Sequence, residues 1–342
     1  MTPAFTPGSF LPDSLFDRLT DLRVKEPGRI AAEAQARRRR PNLTEDGKLV
    51  ILAADHPARN VVRGGSDPLG MGDRRAYLER IVRVISHPEV DGIMATPDII
   101  DELFLINYLV RQAGGAPFLD GKVLMGCINR GGLAGAIWEL DDFLTGYTPE
   151  RIAALGLDAA KLMFRLNLQE PDSAKTVRYC AEWVTELNRL GVPSFLEALS
   201  VSFENGAWRM RLETEEMVRV VGVASGLGDS TANTWLKLPM VPDFRRVARA
   251  TTLPILVLGG ESHGEPLRTV GQIAEVMQAG SNVRGALVGR NVVWPGPHDP
   301  QAVAVAVARV VRGSSVAEAA AAMEAAEGQG LGALRSLLEG RE

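Results

Sequence analysis

Short apolar runs recur at regular intervals along this chain, and helical patterns fill the gaps between them. The runs are "KLVILAADH" (48–56), "DGIMATP" (91–97), "KVLMGCIN" (122–129), "DAAKLMFRLN" (158–167), "PSFLEALSVSF" (193–203), "NTWLKLPM" (233–240), "PILVLGG" (254–260) and "VRGALVGRN" (283–291). Runs of this length and aliphatic content are what buried parallel strands require. Between them lie amphipathic stretches such as "DRRAYLERIVRVISH" and "SAKTVRYCAEWVTELNRLG", the second closing on Gly191 as a helix C-cap. "PLRTVGQIAEVMQAG" and "DPQAVAVAVARVVRG" flank the eighth run in the same way.

Eight strand–helix units between residues 48 and 313 predict an α/β fold, a (β/α)8 TIM barrel. A doubly wound open sheet shares the alternation, but it usually has fewer strands, and no G-x-G-x-x-G follows the first run. The expected boundaries are an N-terminal helical extension over 1–45, a catalytic barrel over 46–313 and an Ala-rich C-terminal helical tail over 314–342.

The barrel gives each polar residue in a strand a direction. Side chains alternate between the interior and the helix layer, and active sites form at the C-terminal ends of the strands. In the sixth run Leu236, Leu238 and Met240 face the helices, which turns Lys237 inward. In the fourth run Leu162, Phe164 and Leu166 face outward, while Lys161, Arg165 and Asn167 face inward. By the same rule Asp55, Asn129, Glu197 and Arg290 face the mouth from strands one, three, five and eight.

Composition narrows the functional classes. A net charge of −4 and an isoelectric point near 5.8 argue against general nucleic-acid binding. The one basic run, Arg37-Arg38-Arg39-Arg40, reads as a solvated helix face rather than an anion-binding patch. No stretch approaches the ~18 apolar residues of a membrane span. The N-terminus carries acidic residues and prolines where a signal peptide needs a basic start and an apolar core. Cys127 and Cys180 sit in apolar surroundings without metal-type spacing, so buried free thiols in a reducing cytoplasm are expected.

An inward lysine is a nucleophile only when neutral, and its ordinary pKa of about 10.4 keeps it protonated. Burial and a neighbouring cation both lower that value. Strands four and six are two apart around the barrel, so Lys161 can depress the pKa of Lys237, or the reverse, and either lysine can then form a Schiff base with a carbonyl substrate. Glu197, on the strand between them, is placed to shuttle protons, and Asp55 to assist or to hold a lysine. The competing structural account is a satisfied charge network that merely fills the barrel centre. A second constellation, "LVLGGESHG" with "ALVGRNVVW", falls at the ends of strands seven and eight, a common phosphate site of barrels. There Gly259, Gly260 and Gly289 let backbone N–H groups approach an anion, and Arg290 offers a forked donor.

Together these residues resemble the class I (Schiff-base) aldolase superfamily that includes deoxyribose-phosphate, archaeal-type fructose-bisphosphate and tagatose-bisphosphate aldolases. The pattern "DAAKLMF", "FLEALSV" and "WLKLPM" is most similar to the tagatose-bisphosphate and sulfofructose-phosphate aldolase branch. The resemblance implies that Lys237 is the Schiff-base lysine, Glu197 the acid–base residue and Lys161 its cationic neighbour. Asp55 matches the aspartate ending strand one, and Arg290 with the glycines matches a phosphate grip. It further implies a phosphorylated ketose or keto sugar acid as substrate, release of dihydroxyacetone phosphate, no cofactor and a homo-oligomer. "DHPARN" departs from the usual glycine-containing turn and brings His56, Arg59 and Asn60 near the mouth, where extra cations suit a sugar acid. The chain is also similar to a barrel family found with myo-inositol catabolism enzymes, which would make 2-deoxy-5-keto-gluconate 6-phosphate the substrate.

Two other functions remain open from sequence. One is a metal-dependent barrel enzyme using His56 and His263 with Asp55, Glu197 and Glu261. The other is a non-catalytic barrel that binds a sugar phosphate.

Overall fold

Each of the eight apolar runs forms a parallel strand. A computed structural model of the chain describes residues 5–130, 132–262 and 264–340. The strands are β1 (Leu49–Ala54), β2 (Gly92–Ala95), β3 (Val123–Cys127), β4 (Ala159–Leu166), β5 (Ser194–Glu204), β7 (Thr234–Pro239), β8 (Ile255–Leu258) and β9 (Val283–Val288). They pair in that order, and β9 pairs back to β1 through Leu49↔Gly285 to Leu52↔Val288, which closes the ring. The fold is a (β/α)8 TIM barrel.

Alternation along the strands splits the core in two. Leu49, Ile51, Met94, Met125, Cys127, Phe195, Leu256 and Leu287 fill the barrel interior. Val50, Leu52, Leu162, Phe164, Leu236 and Leu238 pack outward into the helix layer. That layer consists of α3 (Arg74–Ile85), α4 (Pro97–Gln112), α5 (Pro149–Ala154), α6 (Asp172–Arg189), α7 (Thr214–Ser225), α8 (Phe244–Ala248), α9 (Pro266–Val276) and α11 (Pro300–Val311). Gly191 follows α6 with φ 67°, the left-handed conformation a helix-terminating glycine supplies. A short extra helix, α10 (Arg290–Val293), follows β9.

Three features differ from the sequence reading. The fifth strand runs past the barrel rim and folds back as an antiparallel hairpin with β6 (Ala207–Met210). The tail after Ser314 holds two helices, α12 (Val316–Ala326) and α13 (Ala333–Glu339), rather than one. The arginine run is not a solvated helix face. The N-terminal helices are α1 (Ser14–Lys25) and α2 (Arg29–Ala36), so the run starts where α2 stops, and Arg37 is extended at φ −64°, ψ 131°. Pro41 disfavours helix at the residue before it. The extended strap crosses the N-terminal end of the barrel. Arg37 donates to the Lys122 and Gly156 carbonyls and pairs with Asp158 at 3.0 Å; Arg40 pairs with Asp91 at 3.0 Å. Those two aspartates accept from the first strand amides, Asp91 from Val50 and Asp158 from Leu124. The basic run therefore closes the end of the barrel opposite the site.

Candidate active site

In β5 and β7 the hydrogen-bond register sets Glu197 directly beside Lys237. The Lys237 Nζ lies 2.9 Å from Glu197 Oε1. The other oxygen of Glu197 lies 2.9 Å from Lys161 Nζ on β4, and Lys161 donates to Asp55 Oδ2 at 3.1 Å, just past β1. The result is a charged chain, Asp55–Lys161–Glu197–Lys237, crossing the barrel. All four side chains are buried. Beneath them the rings of Phe195 and Trp235 stack with centroids 5.2 Å apart, an apolar floor that keeps the local dielectric low.

The two lysines are tuned in opposite directions. Burial opposes charge on Lys161, but Asp55 and then Glu197 outweigh it and hold its pKa above the ordinary lysine value. Lys237 touches one carboxylate. There burial prevails against Glu197, Lys161 adds to the lowering, and the pKa falls. Lys161 is thus the more firmly held cation and Lys237 the lysine whose proton is loosened, an order that strand direction alone left open and that the family resemblance implied. Burial raises the Glu197 pKa, yet Lys161 and Lys237 together bring it down to about 2. Asp55, against the same burial, is held well below the carboxylate range by Lys161 and then Arg59.

Lys237, Glu197 and Asp55 open onto a cavity of about 490 Å³ at the C-terminal end of the strands. Its walls include His56, Arg59, Gly259, Gly260, Gly289 and Arg290, which the sequence had placed at the mouth. His56 is mostly enclosed beside Asp55, and desolvation drives its pKa to about 3 against the pull of that carboxylate, so the ring is neutral at physiological pH. Gly289 makes room for it: a Cβ there would stand 2.6 Å from His56 Cε1 and 3.0 Å from the Ala53 carbonyl oxygen. Gly260 adopts φ 72° with open space around it, leaving the 259–261 backbone accessible from the cavity. Arg290 pairs with Glu261 at 3.2 Å.

Asn129 is not part of this wall. Its amide donates to the Asp142 and Met163 carbonyls and accepts from the Met163 N–H, which fastens the end of β3 to β4. Asn167 lies beyond the end of β4 and caps the next turn by accepting from the Gln169 N–H. Asn60 donates to the Ala134 carbonyl of the loop after β3. His263 lies outside the described residues, and among those described no three His, Cys, Asp or Glu side chains converge as a metal site.

Sequence reasoning missed two contributors. Trp208, Arg209 and Met210 from β6 overhang the cavity, and Glu139 clamps Arg165 in its wall at 2.7 Å. The hairpin had a signal in "FENGAW": Asn-Gly between apolar positions is a strong mark of a two-residue turn, and Asn205 and Gly206 adopt φ 51° and 79°. Glu139 sits in an irregular loop and has no local signature.

A family model described as Cgl0159-like matches residues 47–311, which is the whole barrel. The chain belongs to the Cgl0159-like family. A crystal structure of Cgl0159 from Corynebacterium glutamicum is 37% identical, with a TM-score of 0.81 covering 91% of this chain and 99% of that one. A Schiff-base-forming fructose-1,6-bisphosphate aldolase superposes with a TM-score of 0.55 at 19% identity, covering 82% of this chain and 99% of that one. A fructose-bisphosphate aldolase from Slackia heliotrinireducens gives 0.60 at 14% identity, covering 94% and 96%. These two share the barrel fold. In sequence, a 2-amino-3,7-dideoxy-D-threo-hept-6-ulosonate synthase from Halobacterium salinarum is 23% identical over 82% of this chain and 92% of its own length. The superfamily expected from the lysine and glutamate motifs agrees with these relatives.

Proposed function

We propose that the protein is a class I aldolase, cleaving or forming a C–C bond in a phosphorylated ketose or keto sugar acid through a Schiff base on Lys237. The observation that carries this reading is the asymmetric pair: one lysine fixed as a cation between two carboxylates, and a second whose pKa burial lowers, 2.9 Å from a carboxylate able to take its proton. Such an amine gives up its proton more readily than an ordinary lysine and is the better nucleophile of the two. The names of the distant relatives, two aldolases and a ulosonate synthase, point the same way.

In this mechanism Lys237 passes its proton to Glu197 and adds to the ketone carbon, and the carbinolamine loses water to give a protonated imine. Glu197, ionised again once its proton has left in that water, then takes the proton of the hydroxyl on the far carbon of the bond to be broken. The C–C bond cleaves, its electrons enter the imine as an enamine, and the aldehyde leaves. Glu197 returns a proton to the enamine carbon, and water releases the second product, for which dihydroxyacetone phosphate is our candidate. Lys161 stays charged throughout and keeps Glu197 ionised between transfers. Arg290 and the backbone at Gly259, Gly260 and Gly289 would hold the phosphate. A keto-deoxy-gluconate phosphate fits this reading as one member of the substrate class.

Screening phosphorylated ketoses and keto sugar acids for triose phosphate release, read by a coupled reductase, tests the reaction. Release from at least one supports it, and release that persists in Lys237→Met would contradict it. A homo-oligomer and a cytoplasmic location belong to the same proposal; light scattering of the purified protein returning the monomer mass would refute the first.

A further inference from the structure

We propose that Asn291 is a positioning residue, which turns the Gly260 N–H into the cavity by holding the Gly259 carbonyl away from it. This deepens the aldolase reading and rests on its assignment of the substrate phosphate to the backbone at Gly259 and Gly260.

The third residue of "GRN" belongs neither to the charged chain nor to the cavity wall. Asn291 is buried, on the short helix α10 that follows β9. Its Nδ2 donates to the Gly259 carbonyl, which accepts from no other group among the described residues. This contact lies on the helix-layer side of the loop. A Cβ on Gly259 would stand 3.0 Å from Asn291 Nδ2, 3.4 Å from Val288 Cγ1 and 3.7 Å from Thr269 Cγ2. Val288 packs outward into the helix layer, and Thr269 belongs to α9. Gly259 and Gly260 themselves line the cavity that holds Lys237.

The planar peptide converts this hydrogen bond into a direction. In a trans peptide the C=O and the following N–H point oppositely. With the Gly259 carbonyl drawn to Asn291, the Gly260 N–H points away from the helix layer and toward the cavity. That N–H has no acceptor among the described residues, so it is free to donate to an anion. Without the anchor, a peptide flanked by two glycines rotates at little cost, because Gly260 can leave its φ of 72° for negative φ. The rotated peptide would present a carbonyl oxygen where a phosphate oxygen has to sit. The three residues therefore act as one device. Gly259 has no Cβ to push the amide aside, Gly260 supplies the left-handed turn, and Asn291 selects the edge of the peptide that looks inward.

Isothermal titration with glycerol 3-phosphate, which has no carbonyl and forms no imine, tests the site apart from the chemistry. The unaltered protein should bind it, and Asn291→Ala should bind it about tenfold more weakly, the scale of one hydrogen bond to a charged group. Affinity kept within about twofold in the variant, or no binding by the unaltered protein, would overturn the proposal. A second readout separates positioning from a general loosening of the barrel. Borohydride trapping on Lys237 is compared for dihydroxyacetone phosphate and dihydroxyacetone, both below saturation. The ratio of the two rates should fall about tenfold in Asn291→Ala. A merely structural role slows both alike, and an unchanged ratio would count against positioning. Should the variant fail to fold, the unaltered protein decides. With isotopically labelled glycine, the Gly260 amide resonance, assigned by its loss in Gly260→Ala, should move downfield when glycerol 3-phosphate is added; an unmoved resonance would overturn the proposal. If neither ketone is trapped, the Schiff-base mechanism falls, and the titration and the amide shift still decide the role of Asn291.

Discussion

Lys161 and Lys237 are the same residue type on strands two apart, yet their pKa values move in opposite directions, because Lys161 meets two carboxylates and Lys237 one. Imine formation needs the neutral amine, so its rate should rise with pH to a midpoint below the ordinary lysine value of about 10.4. Glu197, with its pKa near 2, stays ionised across that range and adds no limb of its own. Lys161→Met removes a cation that lowers the Lys237 pKa, so the midpoint should move to higher pH; rapid-quench borohydride trapping measures it. The same change removes the buried cation between Asp55 and Glu197, leaving Glu197 to Lys237 and Asp55 without its 3.1 Å partner, and urea titration should show a loss of about 3–5 kcal/mol. His56 makes a separate prediction. Its folded pKa of about 3 lies below the unfolded value of about 6.5, so between those values the unfolded chain binds the extra proton. Stability therefore falls as pH drops through this window, by up to ~1.4 kcal/mol per pH unit from this residue. His56→Asn should flatten that slope, as urea midpoints at pH 4, 5 and 6 would show.

At the scale of elements, strands and the direction of their side chains were legible because burial on both faces forces aliphatic runs, and a period of two then fixes which residues look inward. Lys161, Glu197 and Lys237 could be aligned from that rule alone. Which lysine keeps its proton could not, since it depends on carboxylate distances set by the packing of four strands. The Arg37–Arg40 strap was misread for a related reason: a charge run has no period, and its partners Asp91 and Asp158 are distant in sequence. Arg37→Ala should cost about 1–3 kcal/mol in urea unfolding, because the Lys122 and Gly156 carbonyls lose their donor while Arg39 still meets Asp158 at 3.0 Å. Strand β6 of the β5–β6 hairpin overhangs the cavity. Arg209→Ala removes an exposed side chain from the cavity rim, so the unfolding free energy should stay within about 0.5 kcal/mol while KM for the anionic substrate rises and kcat holds.

Across the whole molecule, the two ends of the barrel have separate tasks. The N-terminal end is closed by arginine–aspartate pairs, and the terminal extensions are tied to the helix layer. Glu79 of α3 accepts from the Gly8, Phe10 and Leu11 amides, and Arg83 donates to the Gln329 carbonyl at 2.7 Å. The C-terminal end carries the charged chain and its cavity, so changes at the strap should alter stability without altering the pH midpoint of imine formation. The central claim is that Lys237 is the imine-forming residue. Incubation with a cleaved ketose phosphate and sodium borohydride, followed by proteolysis and mass spectrometry, tests it most directly. The account predicts a reduced adduct on the peptide containing Lys237, absent in Lys237→Met. An adduct on Lys161 instead, or turnover with no adduct on either lysine, would contradict it.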